Sequence, residues 1–196
     1  MQHISVTCGF EETERPVVAA LYWEAFSAKL GRVMGPSEKA QGFFAQTMSL
    51  DFCLVARDEA GQVQGLAGFK TAEGSLTGAD LRDMMHHYGG FGGLWRGLVL
   101  SILERDLEPG VLLMDGICVR AEARGSGVGS ALLEGIEGVA CAHACTRLRL
   151  DVIDTNPRAR ALYERKGFRE AGEESTGPFR HLFGFDTATR MEKTLS

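Results

Sequence analysis

Apolar and polar positions along the chain switch between two periods, and the switches mark out its elements. Val111 to Val119 (VLLMDGICV) is almost unbroken apolar, the pattern of a strand buried on both faces. Val128, Leu132, Ile136 and Val139/Ala140 then recur at helical spacing. In Leu148 to Val152 the apolar residues alternate with polar ones, which predicts a strand. Upstream, Ile4 to Thr7 reads as a first strand. Glu11 to Leu30 reads as a helix, with Thr13 as cap, Pro16 in its first turn and an apolar stripe of Val18, Leu21/Tyr22, Phe26 and Leu30. Pro36 and Ser37 open a second helix through Met48. Phe52 to Ala56 and Val63 to Phe69 form a hairpin around Asp58 to Gly61.

Residues 71–108 are predicted to be a helical insertion. Ala79 to His87 has helical spacing, Gly89 to Gly93 reads as a hinge-like spacer, and Leu94 to Leu107 is amphipathic. Such a segment can be a packed helical hairpin, a wall over a binding site, or both. Near the C-terminus, Phe183 to Phe185 and Arg190 to Leu195 alternate like strands, with Glu173 to Pro178 as a loop between elements.

Two segments carry chemistry. Val119 to Ser130 (VRAEARGSGVGS) runs from strand end through a glycine loop into a helix start. Gly125, Gly127 and Gly129 leave backbone N–H groups free to crowd around an anion, and the positive end of the following helix adds to the site. Asn156 to Phe168 (NPRARALYERKGF) has a helix N-cap, proline at the first helical position, and Gly167 closing the helix. Together, V-x-x-E-x-R-G-x-G-V-G (Val119 to Gly129) and N-x-R-A-x-x-L-Y-E-x-x-G-F (Asn156 to Phe168) resemble the GNAT superfamily of acyl-CoA-dependent N-acyltransferases. With their preceding strands they cover roughly residues 111–170, in that family's order and spacing. Ala121 stands where the family often has proline, and Arg160 where it usually has an apolar residue.

The resemblance implies an α/β fold, a single GNAT-like domain over residues 1–196 with a central mixed twisted sheet flanked by helices on both faces. It also implies acetyl-CoA as co-substrate and direct attack by a primary amine of unidentified acceptor in a ternary complex. The loop Arg124, Gly125, Ser126, Gly127, Val128, Gly129 and Ser130 would hold the CoA pyrophosphate. Ile117, Cys118 and Val119 would pair with pantetheine as an added strand does, and an N–H near Ile117 would hold the thioester carbonyl. Tyr163 matches the family's general-acid position, acting on the departing thiolate. Asn156 either contacts CoA or only caps its helix. Tyr163 also has a purely structural alternative, as an aromatic closing its helix against the sheet.

An alkylammonium needs a base before it can attack. Asp115 is the first candidate, because a carboxylate inside an apolar strand must be paired or have a raised pKa. Glu122 matches a family position more often structural; His86, His87 and His181 are reserve bases, and a water chain could replace any of them. A rival from another class is a non-catalytic CoA-binding sensor or regulatory module. A mononucleotide site fits less well, since no lysine follows the glycines and Ser130 replaces the third glycine of a dinucleotide fingerprint.

Composition narrows the partners. A net charge of −5 over 196 residues argues against a general nucleic-acid binder. The N-terminal Met-Gln-His-Ile-Ser has no basic segment leading into an apolar core. The apolar stretch near Leu94 to Leu103 is interrupted by Arg96 and is too short to span a bilayer. A cytoplasmic monomer or homodimer is expected, with no membrane partner. Cys8, Cys53, Cys118, Cys141 and Cys145 form neither a metal spacing nor a disulfide frame, which suggests reduced, buried thiols and no metal.

Overall fold

The structure, a computed structural model, describes residues 4–195, so Met1 to His3 of the N-terminal reading lie outside the described residues. In chain order the elements are β1 (Ser5–Cys8), α1 (Arg15–Met34), α2 (Ser37–Thr47), β2 (Cys53–Arg57), β3 (Val63–Thr71), β4 (Gly74–Ser75), α3 (Leu81–Tyr88), α4 (Gly90–Ser101), β5 (Val111–Val119), α5 (Val128–Ala142), β6 (Arg147–Ile153), α6 (Pro157–Arg165), β7 (Arg169–Ser175), α7 (Arg180–Phe183) and β8 (Thr187–Thr194). The strands make one mixed sheet in the order β1-β2-β3-β5-β6-β8-β7, with β4 paired to the end of β3. β5 and β6 run parallel and the other neighbours antiparallel.

Each face of the sheet has its own core. On one, α5 lays Val128, Leu132, Leu133, Ile136 and Ala140 over Leu112, Met114, Leu148, Leu150 and Val152. On the other, α1 and α2 bring Val18, Tyr22, Trp23, Phe43 and Phe44 against Val55, Leu66 and Cys118, and α3 adds Met84 and Tyr88. The expected α/β architecture with helices on both faces is therefore present. The strictly alternating leucines of β6 explain the division: Leu148, Leu150 and Val152 turn to α5, while Arg149 and Asp151 point the other way.

Several expected boundaries shift. Thr13 does not cap α1: a 3-10 turn at Glu12–Glu14 precedes the helix, which runs on to Met34. The glycine run is not a spacer, since α4 begins at Gly90. Its glycines serve a close helix crossing; a Cβ on Gly93 would collide with the Met84 carbonyl oxygen of α3. α4 stops at Ser101 rather than Leu107, and Phe183 to Phe185 is not a strand but the end of α7 and the turn after it. Glu173 to Ser175, expected as loop, completes β7. The thiols are not uniformly buried: Cys53 and Cys118 are, whereas Cys8 and Cys141 are exposed.

β5 holds the most consequential departure from a plain strand. Gly68 of β3 pairs with Gly116 and Phe69 with Met114, so Asp115 is an extra residue on β5, a bulge. The bulge reverses the strand's alternation. Leu112 and Met114 before it, and Ile117 and Val119 after it, all reach the α5 side, while Cys118 joins the α1 side. Gly116 has φ +153°, and a Cβ there would lie 2.6 Å from the Phe26 ring of α1. Gly116→Ala should therefore cost about 1–3 kcal/mol through overpacking. In a double-mutant cycle measured by urea melts, Phe26→Leu should recover part of the loss; strict additivity would show that the ring is not the obstacle.

Candidate active site

β5 and β6 pair through Val111–Arg147, Leu112–Leu148 and Leu113–Arg149, and among the described residues they part company beyond. From Asp115 onward β5 is bonded only to β3, so the amides and carbonyls on its other edge face an opening. Ile117 and Val119 turn their backbone groups to that edge, where Arg124 Nε donates to the Val119 carbonyl at 3.2 Å, while Cys118 pairs with Leu66 of β3. An extended ligand can add to it as a strand does.

The chain then enters the glycine loop. Gly125 (φ +86°) and Gly127 (φ +97°) both need the left-handed region, and a Cβ on either would meet nothing within 4 Å. Their glycines thus serve backbone conformation and leave an open surface, rather than relieving a tight contact. Gly127 is the N-cap of α5 and makes no side-chain cap; the first returning bond is Ala131 N–H to the Gly127 carbonyl at 3.0 Å. The N–H groups of Val128, Gly129 and Ser130 therefore have no partner within the helix and lie at its positive end. Val128 contributes only backbone, since its side chain is in the core. Gly129 lets α5 approach α6, where a Cβ would be 3.2 Å from Leu162. Ser126 Oγ donates to the Ala123 carbonyl at 2.7 Å, bracing the loop. Arg124 is exposed and holds Glu24 of α1 at 3.3 Å. These residues fit a diphosphate: free N–H groups, a positive helix end, open space and an exposed cation.

Asn156 caps α6, its Oδ1 accepting from Ala159 N–H at 3.2 Å, which leaves its amide nitrogen and one oxygen lone pair for a ligand. Tyr163 of α6 is buried, its ring centroid 5.8 Å from that of Phe168. Burial pushes its phenol well above the ordinary value, with the nearby Cys118 adding to the effect. It is therefore held neutral, as a donor. Burial likewise pushes the Cys118 thiol far up, so it is no nucleophile.

Asp115 lies where β5 leaves β6, and it lines a cavity of about 500 Å³. The cavity is bounded by the sheet below and by α1, α2 and both insertion helices above, through Tyr22, Phe26, Phe43, Met84 and Leu98 among others. Residues 71–108 are thus both a packed hairpin and a wall. The Asp115 Oδ2 is enclosed without a hydrogen-bond partner. Burial raises the carboxyl to about 6, with Lys70 and Lys29 pulling it back. Such a group is largely ionised at neutral pH and still a usable proton acceptor.

The reserve bases lie elsewhere. His87 is committed to Gln46 Oε1 at 3.1 Å and the Lys39 carbonyl at 2.7 Å. His86 is exposed on α3 and does not line the cavity. His181 lines a separate depression with Arg32 and Arg180. Glu122 is exposed in the 3-10 turn before the loop. Lys29, Lys70 and Arg105, which the sequence does not single out, line the cavity with Tyr22, expected only as part of the apolar stripe of α1. Lys29 left a signal: it stands three residues after Phe26 and seven after Tyr22, on the stripe that α1 buries.

The Asp115 environment has a thermodynamic signature. Its folded pKa of about 6 lies above the ordinary 3.8. It therefore contributes stability that is fully present below pH 4 and lost as pH rises through about 6. Unfolding free energy of the native protein minus that of Asp115→Asn should fall between about pH 4 and 6 and level off above 7. A flat difference in chemical melts would place the carboxyl in the ordinary range.

Comparison with known proteins agrees with this geometry. Over 81 residues the chain is 37% identical to thialysine N-epsilon-acetyltransferase of Bos taurus, a segment covering 41% of this chain and 46% of that one. The chain thus spans about half the length of the curated relatives it matches. Among solved structures, a GCN5-related N-acetyltransferase from Kribbella flavida superposes with a TM-score of 0.64 at 20% identity, covering 98% of both chains. An N-acetyltransferase from Staphylococcus aureus Mu50 does so with a TM-score of 0.65 at 17% identity, covering 99% of both. The profile of the acetyltransferase (GNAT) family matches residues 16–168, from the start of α1 to the end of the second motif, and the chain belongs to that family.

Proposed function

We propose that this protein transfers an acetyl group from acetyl-CoA to a primary amine by direct attack, with both substrates bound together. One observation carries the proposal. Asp115 sits at the point where β5 leaves β6, so the cavity it lines meets the free edge of β5 that leads to the uncapped end of α5. An amine in the cavity and an extended thioester along the strand would converge there. The relatives named for N-acetyl transfer support an amine as nucleophile.

Acetyl-CoA supplies an activated carbonyl on a thiol leaving group, and the residues do the rest. Val128, Gly129 and Ser130 offer N–H groups to the diphosphate. Arg124 can swing to it from Glu24 and the Val119 carbonyl, because an exposed ion pair of that kind is worth only about 0–1 kcal/mol and the second contact is exposed too. The backbone at Ile117 to Val119 aligns the extended arm, and an N–H at Ile117 faces developing charge on the carbonyl oxygen. Asp115 receives the amine proton. An alkylammonium of pKa about 10.4 is too weak an acid for a carboxylate near 6 to deprotonate in the ground state, so the attacking species is the minor, neutral form of the amine. The transfer therefore falls in the attack step, once the nitrogen bonds to carbon and becomes acidic. Tyr163, fixed as neutral phenol, donates a hydrogen bond to the departing sulfur. Full proton transfer to a thiolate of pKa about 8.5 runs uphill from so weak an acid, so its contribution is modest.

The deciding experiment is thiol release from acetyl-CoA across a broad amine panel. Acetylated product and free thiol in equal amounts are expected; CoA binding with no transfer to any amine would instead indicate a binding module. Tyr163→Phe should lower kcat about 10–100-fold with little change in the KM for acetyl-CoA. An unaltered kcat would make the tyrosine a packing residue. Gly127→Val should weaken CoA binding at least tenfold, about 1.4 kcal/mol by calorimetry, because valine strains the left-handed turn and fills open space where the diphosphate would lie. Unchanged affinity in a folded variant would remove the loop from the CoA site.

A further inference from the structure

Proton acceptance by Asp115 leaves two charges in the cavity without a use. Lys29 of α1 and Lys70 at the end of β3 both line it. The Lys29 ammonium lies 5.6 Å from the Phe185 ring centroid, and Lys70 Nζ donates to the Arg105 carbonyl at 3.3 Å. Among the described residues, neither lysine forms an ion pair.

Of the acids that face them, Asp115 attracts both lysines through space and Asp151 attracts Lys29, but none forms an ion pair with either lysine among the described residues. Asp151 is taken by Arg105 at 2.5 Å, and Arg105 is also held by Glu174 at 3.1 Å. Asp80 caps α3, accepting from the N–H groups of Arg82 and Asp83. Glu104 is exposed at the rim, and Asp115 has an enclosed oxygen with no partner at all. Burial, together with the like charge of Arg105, depresses the Lys29 ammonium, with Asp151 and Asp115 only partly opposing the shift. A cation in such surroundings is stable when a counter-charge arrives. The cavity thus presents two cationic groups and one carboxylate that attract one another through space without pairing directly, set among Phe26, Leu30, Phe44 and Leu98.

We propose that the amine acceptor is an apolar amino acid, whose amine meets Asp115, whose carboxylate meets Lys29 and Lys70, and whose side chain lies along the apolar wall. This rests on the acetyltransferase assignment. A cavity of about 500 Å³ suits a ligand of that size. A polyamine would bring a second cation against the two lysines, so linear diamines are disfavoured by the same charges.

The test uses acceptors that differ only in the acid: phenylalanine, phenylalaninamide and phenethylamine, then the matching leucine and methionine sets, with cadaverine added. Thiol release is measured for each. Calorimetry in saturating CoA reads recognition independently of turnover. The expected result is a kcat/KM for the amino acid at least tenfold above its amide, its decarboxylated amine and cadaverine. Lys29→Met and Lys70→Met, checked by melting and CoA affinity, should each reduce that preference at least tenfold, mainly through KM for the acid. Equal or faster transfer to the uncharged partners would overturn the acceptor class while leaving the acetyltransferase assignment intact. Calorimetric binding of the acids without transfer to any amine would do the reverse. Neither binding nor transfer of any acid would overturn the proposed acceptor.

Discussion

The site depends on a pairing that stops. β5 and β6 share three residue pairs and then separate, although both strands continue. A parallel pair that ran its full length would consume the edge of β5 and close the route between the two faces of the sheet. The bulge at Asp115 is where the separation begins. It adds a residue to β5 opposite β3, bends the strand and turns a carboxylate toward α1. Gly116 permits the bend because the Phe26 ring occupies the space a side chain would need. One local irregularity thus supplies a free strand edge and a buried titratable group a residue or two apart.

Charge distribution on the α1 side follows from the same alternation. Past the apolar stripe that β6 gives to α5, Arg149 and Asp151 face the other way, and Arg149 is only 4% exposed. A buried row of this kind persists only when its members pair. Arg149 meets Glu108 at 3.1 Å, Asp151 meets Arg105 at 2.5 Å, and Arg190 meets Glu174 at 2.9 Å. Arg105 and Glu108 belong to the connection between α4 and β5, so the insertion closes the cavity and also neutralises its floor. Lys29, Lys70 and Asp115 are left outside this network of ion pairs.

Much of this was legible in the chain. β5 is read to the residue from its apolar run, and the glycine loop and Asn156 cap follow from residue types with few other uses. Asp115 stood out as a charge among apolar neighbours, and the cavity is where it points. The bulge was not legible, because an extra residue in an apolar strand leaves the same letters in the same order. Only the partner register of Gly68 and Phe69 reveals it. Gly89 to Gly93 was misread because glycine signals a turn locally, whereas here it serves the crossing of α4 over α3, a tertiary reason that outweighs helix propensity. Lys29 was passed over as one charge near a helix end; its place on the buried stripe gains meaning only once β3 and β5 bring Lys70 and Asp115 to the same cavity.

The central claim is that the free edge of β5 and the start of α5 receive CoA together. Amide hydrogen exchange with and without CoA tests it most directly. The account predicts that CoA slows exchange at Ile117 and Val119 and at Val128 to Ser130 in one titration, with the outer strand β1 unaffected. Protection confined to another surface, or at the loop without β5, would contradict it.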